Sequence, residues 1–202
     1  MKKQEIFINA KCSLLFGIII MASGCTQMSE KETDISAGLN GGFEVSRNGL
    51  PVNWLMYTSN TVPDSDFKVV LDRDVYKEGE QSLKYEVNRC ASTGGWHSPG
   101  FTNEFFEAGK YEGEGRYKLS LWIRNSGSKF RISAGGVAPY KGEMKTLIEN
   151  DEQINSWRQL EYEIEVTEKR HLRMELNILE PGTFWIDDVR IERVKTAPKT
   201  DS

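Results

Sequence analysis

Short runs of alternating apolar and polar residues follow one another along most of the chain, and turn residues separate the runs. Such alternation is typical of β-strands with one buried face, because successive side chains of a strand point to opposite sides. No run keeps the spacing of an amphipathic helix. The pattern predicts strands at residues 43–45, 54–59, 67–72, 82–89, 96–106, 117–124, 129–134, 145–148, 158–167, 171–179 and 184–194. Many short strands joined by Gly- and Pro-containing turns predict an all-β sandwich or jelly roll.

Alternation also assigns the residues of strand 117–124 to two faces. The face directed at the core carries Tyr117, Leu119, Leu121 and Ile123. The opposite face carries Lys118, Ser120, Trp122 and Arg124. A tryptophan on a polar face leaves ~150–250 Å² of mostly apolar surface exposed to water, which is unfavourable unless another group covers it. We therefore interpret Trp122 either as a ligand-binding platform or as a ring that packs under a loop.

The strand at residues 171–179 has the same two-faced pattern. Its core face carries Leu172, Met174, Leu176 and Ile178. Its polar face carries Arg173, Glu175 and Asn177. A sugar ring has an apolar face edged by hydroxyl groups, so a site for it combines a flat aromatic ring with planar donors and acceptors. Trp122, Arg124 and these three polar residues would form such a site if the two strands share one sheet. In the alternative, the charges pair with one another.

Two loops carry further aromatic candidates. Trp96 and His97 follow a pair of glycines in the segment 94–99, where they would line the rim of a binding surface. Tyr140 ends the segment 135–140, a Gly- and Pro-containing loop suited to a lid, because binding residues often lie on loops held by a rigid scaffold. The alternative for Tyr140 is an anchor that packs the loop against the sandwich.

Composition narrows the class of protein. A chain of 202 residues with 38% hydrophobic residues is long enough for one domain with a real core. The net charge of −4 argues against a nucleic-acid partner, because proteins that bind nucleic acid usually carry a basic patch. The sequence has three cysteines and two histidines, and they show no spacing typical of a zinc site.

The first residues have the features of a bacterial lipoprotein leader. Basic residues precede a short apolar run, and the segment 22–25 (Ala-Ser-Gly-Cys) resembles a lipobox, in which the cysteine is lipidated. We predict a signal peptide at residues 1–24, lipidation at Cys25, an acidic flexible tether at 25–38 and a disordered tail at 195–202. Acyl chains would anchor the protein in the bacterial cell envelope, in the outer membrane. The alternative is an ordinary secreted protein.

Several short motifs occur in the order found in one group of binding modules. They are Asn-Gly-Gly-Phe-Glu at 40–44, Gly-x-x-Ser-Leu-Lys at 79–84, Tyr-x-Leu-Ser-x-Trp-Ile-Arg at 117–124, Trp-x-x-Leu at 157–160 and Trp-Ile-Asp-Asp-Val at 185–189. The chain thus resembles the jelly-roll carbohydrate-binding modules with a galactose-binding-like fold, especially families four, nine and twenty-two. The resemblance implies an all-β jelly-roll sandwich over residues 39–194.

The same resemblance implies a structural calcium ion. In these families the Glu of the first strand and the second Asp of the last strand commonly hold Ca²⁺, and the matching residues are Glu44 and Asp188. Carboxylate oxygens are the ligands that Ca²⁺ prefers, and backbone carbonyls of the turn at 77–80 would complete the shell. The alternative is that one of these acids caps a turn or pairs with Arg190 or Lys84.

The resemblance implies a non-catalytic glycan-binding lipoprotein that captures a poly- or oligosaccharide for degradation or uptake. Its partners would be carbohydrate, the membrane through the lipid anchor alone, and proteins of a glycan-uptake system. One alternative is a small jelly-roll polysaccharide lyase or glycosidase, and another is a structural or adhesion lipoprotein that binds protein. Hydrolysis of a glycoside needs two carboxylates in one cleft. Asp187 and Asp188 do not form such a pair in a regular strand, because adjacent side chains diverge.

Overall fold

The computed structural model of the protein describes residues 32–90, 93–104, 115–138, 141–166 and 171–194. The predicted leader with Cys25, the loop residue Tyr140 and the predicted tail lie outside these residues. The strands are β1 (Ser46–Arg47), β2 (Leu50–Pro51), β3 (Leu55–Tyr57), β4 (Asp66–Asp72), β5 (Ser82–Arg89), β6 (Gly100–Glu104), β7 (Gly115–Ser126), β8 (Phe130–Ala138), β9 (Lys141–Asn150), β10 (Ile154–Val166), β11 (His171–Ile178) and β12 (Gly182–Arg193). In the part of the chain described, no helix is long and apolar enough to cross a membrane.

The long strands form two five-stranded antiparallel sheets. The β7 sheet has the strand order β10-β7-β12-β5-β4. The β11 sheet has the order β3-β6-β11-β8-β9. Strands β1 and β2 pair only with each other. The predicted all-β jelly-roll sandwich is therefore confirmed.

The core lies between the inner faces of the two sheets, as alternation predicts. Each predicted core residue of the two analysed strands has 0% exposure: Tyr117, Leu119, Leu121, Ile123, Leu172, Met174, Leu176 and Ile178. At one end of the core, the Trp54 ring packs with its centroid 5.2 Å from that of Phe43 and 4.8 Å from that of Phe101. The indole N–H of Trp54 donates to the backbone oxygen of Asn40 at 3.0 Å, so its buried polar atom is satisfied.

The segment 40–45 forms no strand, and the strand predicted at 43–45 is wrong. Asn40 and Phe43 have positive φ angles of 51° and 59°, which lie outside the extended region. The Asn40 side chain makes hydrogen bonds to the backbone that strand pairing would otherwise supply. Its amide nitrogen donates to the backbone oxygens of Val45 and Val52, and its oxygen accepts from the Val45 N–H. Phe43 nevertheless reaches the core with 0% exposure.

The described part of the predicted tether, residues 32–38, is bound to the domain. Asn53 makes the main contacts: its side-chain nitrogen donates to the backbone oxygens of Asp34 and Gly38, and its side-chain oxygen accepts from the Asp34 N–H at 2.8 Å. Arg47 adds ion pairs to Glu32 at 3.3 Å and to Asp34 at 3.9 Å. Contacts with the domain thus extend back to residue 32, within the predicted tether at 25–38.

A β-bulge interrupts the last strand. The register between β12 and β7 shifts between Asp187 and Arg190, and Asp188 has a positive φ of 48°. Regular alternation would place Asp188 on the side of Ile186, but the bulge turns Val189 into the core instead, with 2% exposure. Asp188 is therefore left half-buried near the outer surface of the β7 sheet.

Candidate functional site

The two strands that were expected to form one site lie in different sheets. Trp122 and Arg124 project from the outer face of the β7 sheet, opposite their buried neighbours. Arg173, Glu175 and Asn177 belong to β11, whose outer face is on the other side of the sandwich. The predicted grouping of these five residues around one ligand is therefore wrong. The structure divides them into two groups that face away from each other.

On the outer face of the β11 sheet, Tyr57 reaches across from β3 to Glu175. Tyr57 is paired in register with Gly100 of β6, which has no side chain and which in turn faces Asn177 of β11. The Tyr57 hydroxyl donates to Glu175 Oε1 at 3.0 Å. Burial, followed by the negative charge of Glu175, raises the pKa of Tyr57 well above its usual value. The hydroxyl thus stays protonated and holds the carboxylate in one orientation.

Arg173 completes this group of planar side chains. It lies two residues before Glu175 on the same face. Its positive charge lowers the pKa of Tyr57, but this effect is smaller than the rise caused by burial and by Glu175. On the neighbouring strand β8, Arg173 faces Gly135 and Glu175 faces Ser133. Gly135 and Ser133 are themselves buried, so the side chains of Arg173 and Glu175 lie beside a covered part of the sheet.

Asn177 has a structural role on this face. It is 1% exposed, its side-chain oxygen accepts from the Gly95 N–H at 3.1 Å and from Arg131 Nη2 at 3.2 Å, and its nitrogen donates to the Gly95 oxygen at 3.1 Å. Because the amide is buried in these contacts, it presents almost no surface to a ligand. Its effect is to fix the loop that carries Trp96.

Trp96 and His97 lie in the short 3₁₀ helix Gly95–His97 at the edge of the β11 face. Gly94, just before the helix, has a φ of 78°, and a Cβ at this position would collide with the Arg131 guanidinium. Trp96 is 51% exposed, and its ring centroid lies 3.5 Å from that of His97. A large aromatic ring is thus held at the surface by a loop bound to Asn177.

The outer face of the β7 sheet has a depression of about 310 Å³ beside Trp122. Trp122 is half-buried, and Lys77 Nζ lies 4.4 Å from the centroid of its ring. The other residues that line the depression are Glu78, Lys118, Ser120, Gln159, Glu161, Asp188, Arg190 and Glu192. Most of these side chains offer hydrogen-bonding groups, and Trp122 supplies the aromatic surface.

Arg124 is not part of this depression. Its guanidinium lies 5.2 Å from the centroid of the Trp185 ring, one strand away on β12. The indole N–H of Trp185 donates to Asp72 Oδ2 at 3.0 Å, and Lys84 forms an ion pair with the same oxygen at 3.1 Å. Arg124 therefore packs over a Trp ring that is itself hydrogen-bonded to Asp72.

Glu44 and Asp188 both have protein partners in the structure. Glu44 Oε1 accepts from the Glu80 N–H at 3.0 Å, and Asp188 Oδ1 accepts from Arg190 Nε at 2.7 Å. Among the residues with a described position, no group of three or more acidic, His or Cys side chains lies close enough together to hold a metal ion. The calcium site stays a prediction.

Tyr57 and Lys77 were not among the ligand-binding residues predicted from the sequence. Tyr57 could have been found by alternation, because Met56 is fully buried and its neighbour must point outward. Lys77 lies in a turn, and its approach to Trp122 depends on the contact of that turn with Asp187, which no local pattern predicts.

Comparisons with known proteins agree on the fold. A family 22 xylan-binding domain from Paenibacillus barcinonensis matches with a TM-score of 0.53 and 14% identity over 78% of this chain and 94% of that chain. A family 4 carbohydrate-binding module matches with a TM-score of 0.51 and 15% identity over 77% of this chain and 98% of that chain. The enzymatically active domain of tailspike protein 4 from bacteriophage CBA120 matches with a TM-score of 0.54 and 14% identity over 80% of this chain but 21% of that chain.

No family model and no curated protein matches the sequence. At identities this low, structural similarity shows the fold alone. The resemblance to jelly-roll carbohydrate-binding modules of families four and twenty-two is thereby confirmed for the fold.

Proposed function

We propose that the protein binds a poly- or oligosaccharide on the outer face of the β11 sheet, without catalysis. The observation that carries this proposal is the fixed contact between Tyr57 and Glu175, at 3.0 Å, on the same face as Arg173 and Trp96. The fold supports it, since the modules with this fold include a xylan-binding domain.

The chemistry of this face suits sugar hydroxyl groups. A carboxylate accepts hydrogen bonds from hydroxyls, and the planar guanidinium of Arg173 donates to their oxygens. The Trp96 ring offers a flat surface for the apolar side of a sugar ring. Because Tyr57 already orients Glu175, and Asn177 already fixes the Trp96 loop, less conformational freedom would be lost on binding.

We assign a non-catalytic role because the described carboxylates of this face already have hydrogen-bond or ion-pair partners. Glu175 accepts from Tyr57, and Glu149 of β9 forms ion pairs with Lys129 at 3.0 Å and with Arg131 at 3.8 Å. A glycosidase needs one carboxylic acid that is free to donate a proton and a second group to act on the opposite side of the sugar. The tailspike similarity keeps hydrolysis or lyase activity as an outcome to test, since the fold itself does not decide it.

The proposal extends to the location of the protein. The lipobox-like segment at 22–25 supports lipidation of Cys25 and anchoring in the bacterial cell envelope, in the outer membrane. There the domain would capture glycan for a degradation or uptake system and work beside its transport proteins. A structural calcium ion between Glu44 and Asp188 remains part of the proposal and has its own test below.

A glycan array that includes plant, bacterial and host polysaccharides tests the function. We expect the wild-type protein to retain at least one polysaccharide, and Trp96→Ala and Glu175→Gln each to weaken that binding. Absence of any retained glycan, or binding that neither substitution changes, would refute the assignment. Release of reducing ends or of unsaturated products from the bound glycan would identify the enzyme alternative instead.

A further inference from the structure

The depression beside Trp122 lies on the side of the sandwich opposite to the β11 face. We infer that it is a second, independent site for a neutral sugar unit that stacks on Trp122, so that one domain holds two glycan segments. The inference rests on the proposed function only in that the ligand is again a glycan. The two sites share no residue, and the core separates them.

The Trp122 ring stands on a rigid support. Its chain neighbours Leu121 and Ile123 are both 0% exposed in the core, and β7 is paired on both sides, with β10 and with β12. Across these strands, Trp122 faces Gln159 on one side and the buried Asp187 on the other. A ring fixed in this way needs little reorganisation to accept a ligand.

The polar lining is close to charge balance. It contains three cations, Lys77, Lys118 and Arg190, and four carboxylates, Glu78, Glu161, Asp188 and Glu192. Some of these charges neutralise one another, since Lys118 pairs with Glu161 at 2.8 Å and Arg190 pairs with Asp188 at 2.7 Å. A strongly charged ligand would meet charges of both signs in this lining. Hydroxyl groups both donate and accept, so a neutral sugar fits this alternation of donors and acceptors.

Lys77 acts as a removable cover on the aromatic ring. Its Nζ lies 4.4 Å from the Trp122 centroid, and the residue is exposed. Its backbone is held, because the Lys77 N–H donates to Asp187 Oδ2 at 2.7 Å. Only the flexible side chain therefore has to move for a sugar to reach the ring, and the contact it gives up is a weak, exposed cation–π interaction. Removal of the Lys77 side chain should then strengthen binding at this site.

The test is a titration of the purified protein with four neutral oligosaccharides: xylohexaose, cellohexaose, laminarihexaose and mannohexaose. NMR follows the indole N–H signals of Trp122 and Trp96, and calorimetry gives the number of sites. We expect at least one sugar to shift the Trp122 signal, Trp122→Ala to remove one binding event, and Lys77→Ala to raise the affinity of that event severalfold. Ser120→Tyr fills the depression without removing the indole, so it serves as the second variant if Trp122→Ala is unstable.

Trp96→Ala separates this inference from the proposed function. We expect it to remove binding at the β11 face and to leave the Trp122 shift unchanged. If Trp96→Ala has no effect while Trp122→Ala abolishes binding, the second site stands and the proposed primary site fails. If none of the four sugars moves the Trp122 signal, or if Ser120→Tyr leaves the number of binding events unchanged, the second site is overturned.

Discussion

The buried carboxylate of Asp187 holds the backbone of Lys77. Asp187 Oδ2 accepts the N–H of Lys77 at 2.7 Å and that of Glu78 at 3.0 Å, while Oδ1 accepts the N–H of Asp188 at 2.7 Å. Asp187 has 0% exposure, so these contacts join the turn at residues 77–80 to the last strand away from solvent. Because the Lys77 side chain lies over Trp122, one carboxylate positions the residue that covers the depression.

Asp187→Asn should destabilise the protein. The amide can accept through only one oxygen, so at least one of the three backbone N–H donors loses its partner or faces the side-chain NH₂ group. An unsatisfied buried donor costs about 1–3 kcal/mol. Urea unfolding followed by fluorescence measures this change. Asp74→Asn, on an exposed residue, serves as the control and should change the free energy of unfolding by less than about 0.5 kcal/mol.

Asp187→Asn should also remove a pH dependence of the free energy of unfolding. Burial is the largest effect on Asp187 and raises its pKa to about 6, whereas an unfolded Asp has a pKa of about 3.9. Between these values the folded protein binds more protons than the unfolded chain. This group therefore makes the free energy of unfolding fall as the pH rises from about 4 to about 6. If Asp187→Asn keeps the wild-type slope in this range, Asp187 is not the group responsible.

Asn177→Ala should loosen the Trp96 loop. The substitution leaves the Gly95 N–H and the Arg131 guanidinium without a shared acceptor and should cost about 1–3 kcal/mol of stability. Faster hydrogen exchange at the Gly95 amide and weaker glycan binding should accompany the loss. Asn155→Ala is the matched control, because Asn155 is exposed and its side-chain oxygen accepts from the equally exposed Gln153. Unchanged exchange at Gly95 would contradict the anchoring role of Asn177.

Tyr57→Phe should weaken glycan binding more than it weakens the fold. It removes the hydroxyl that orients Glu175, a hydrogen bond whose net contribution to stability is about 0.5–1.5 kcal/mol. The dissociation constant should rise by up to about tenfold, since about 1.4 kcal/mol corresponds to that factor. Calorimetry with the glycan found on the array measures it. Tyr76→Phe, on a tyrosine that is 45% exposed, should leave both quantities unchanged.

Removal of calcium tests the metal site carried over from the family resemblance. If Ca²⁺ binds only the folded state, a hundredfold excess over its dissociation constant adds about 2.7 kcal/mol of stability. A chelator should then lower the melting temperature of the wild type, and Asp188→Ala should abolish that sensitivity. A melting temperature that the chelator does not change would leave Asp188 with the partner seen in the structure, Arg190.

Cys25→Ala should abolish lipidation. Cells grown with a fatty-acid probe should label the wild-type protein and not the variant, because the thiol of Cys25 is the predicted acylation site. The variant should also move from the membrane fraction to the soluble fraction. Labelling that persists in Cys25→Ala would show that the segment 22–25 is not a lipobox.

Alternation by itself determined which residues of each long strand enter the core. The inward positions of β7 and β11 follow from a period of two, a local property that a sequence displays directly, and all eight are fully buried. The order of motifs was likewise sufficient to predict the jelly-roll fold. The outward direction of Trp122 follows from the same alternation.

Only the tertiary structure decided which strands present their outward faces on the same side of the sandwich. The neighbours of β7 are β10 and β12, and those of β11 are β6 and β8, so the two strands stand in opposite sheets. Strand order depends on pairings between distant segments, and alternation carries no information about them. Asn177 shows the same limit, because an outward position is buried once a loop from residue 95 binds over it. The bulge at Asp188 also escaped prediction, since one extra residue reverses the alternation after it.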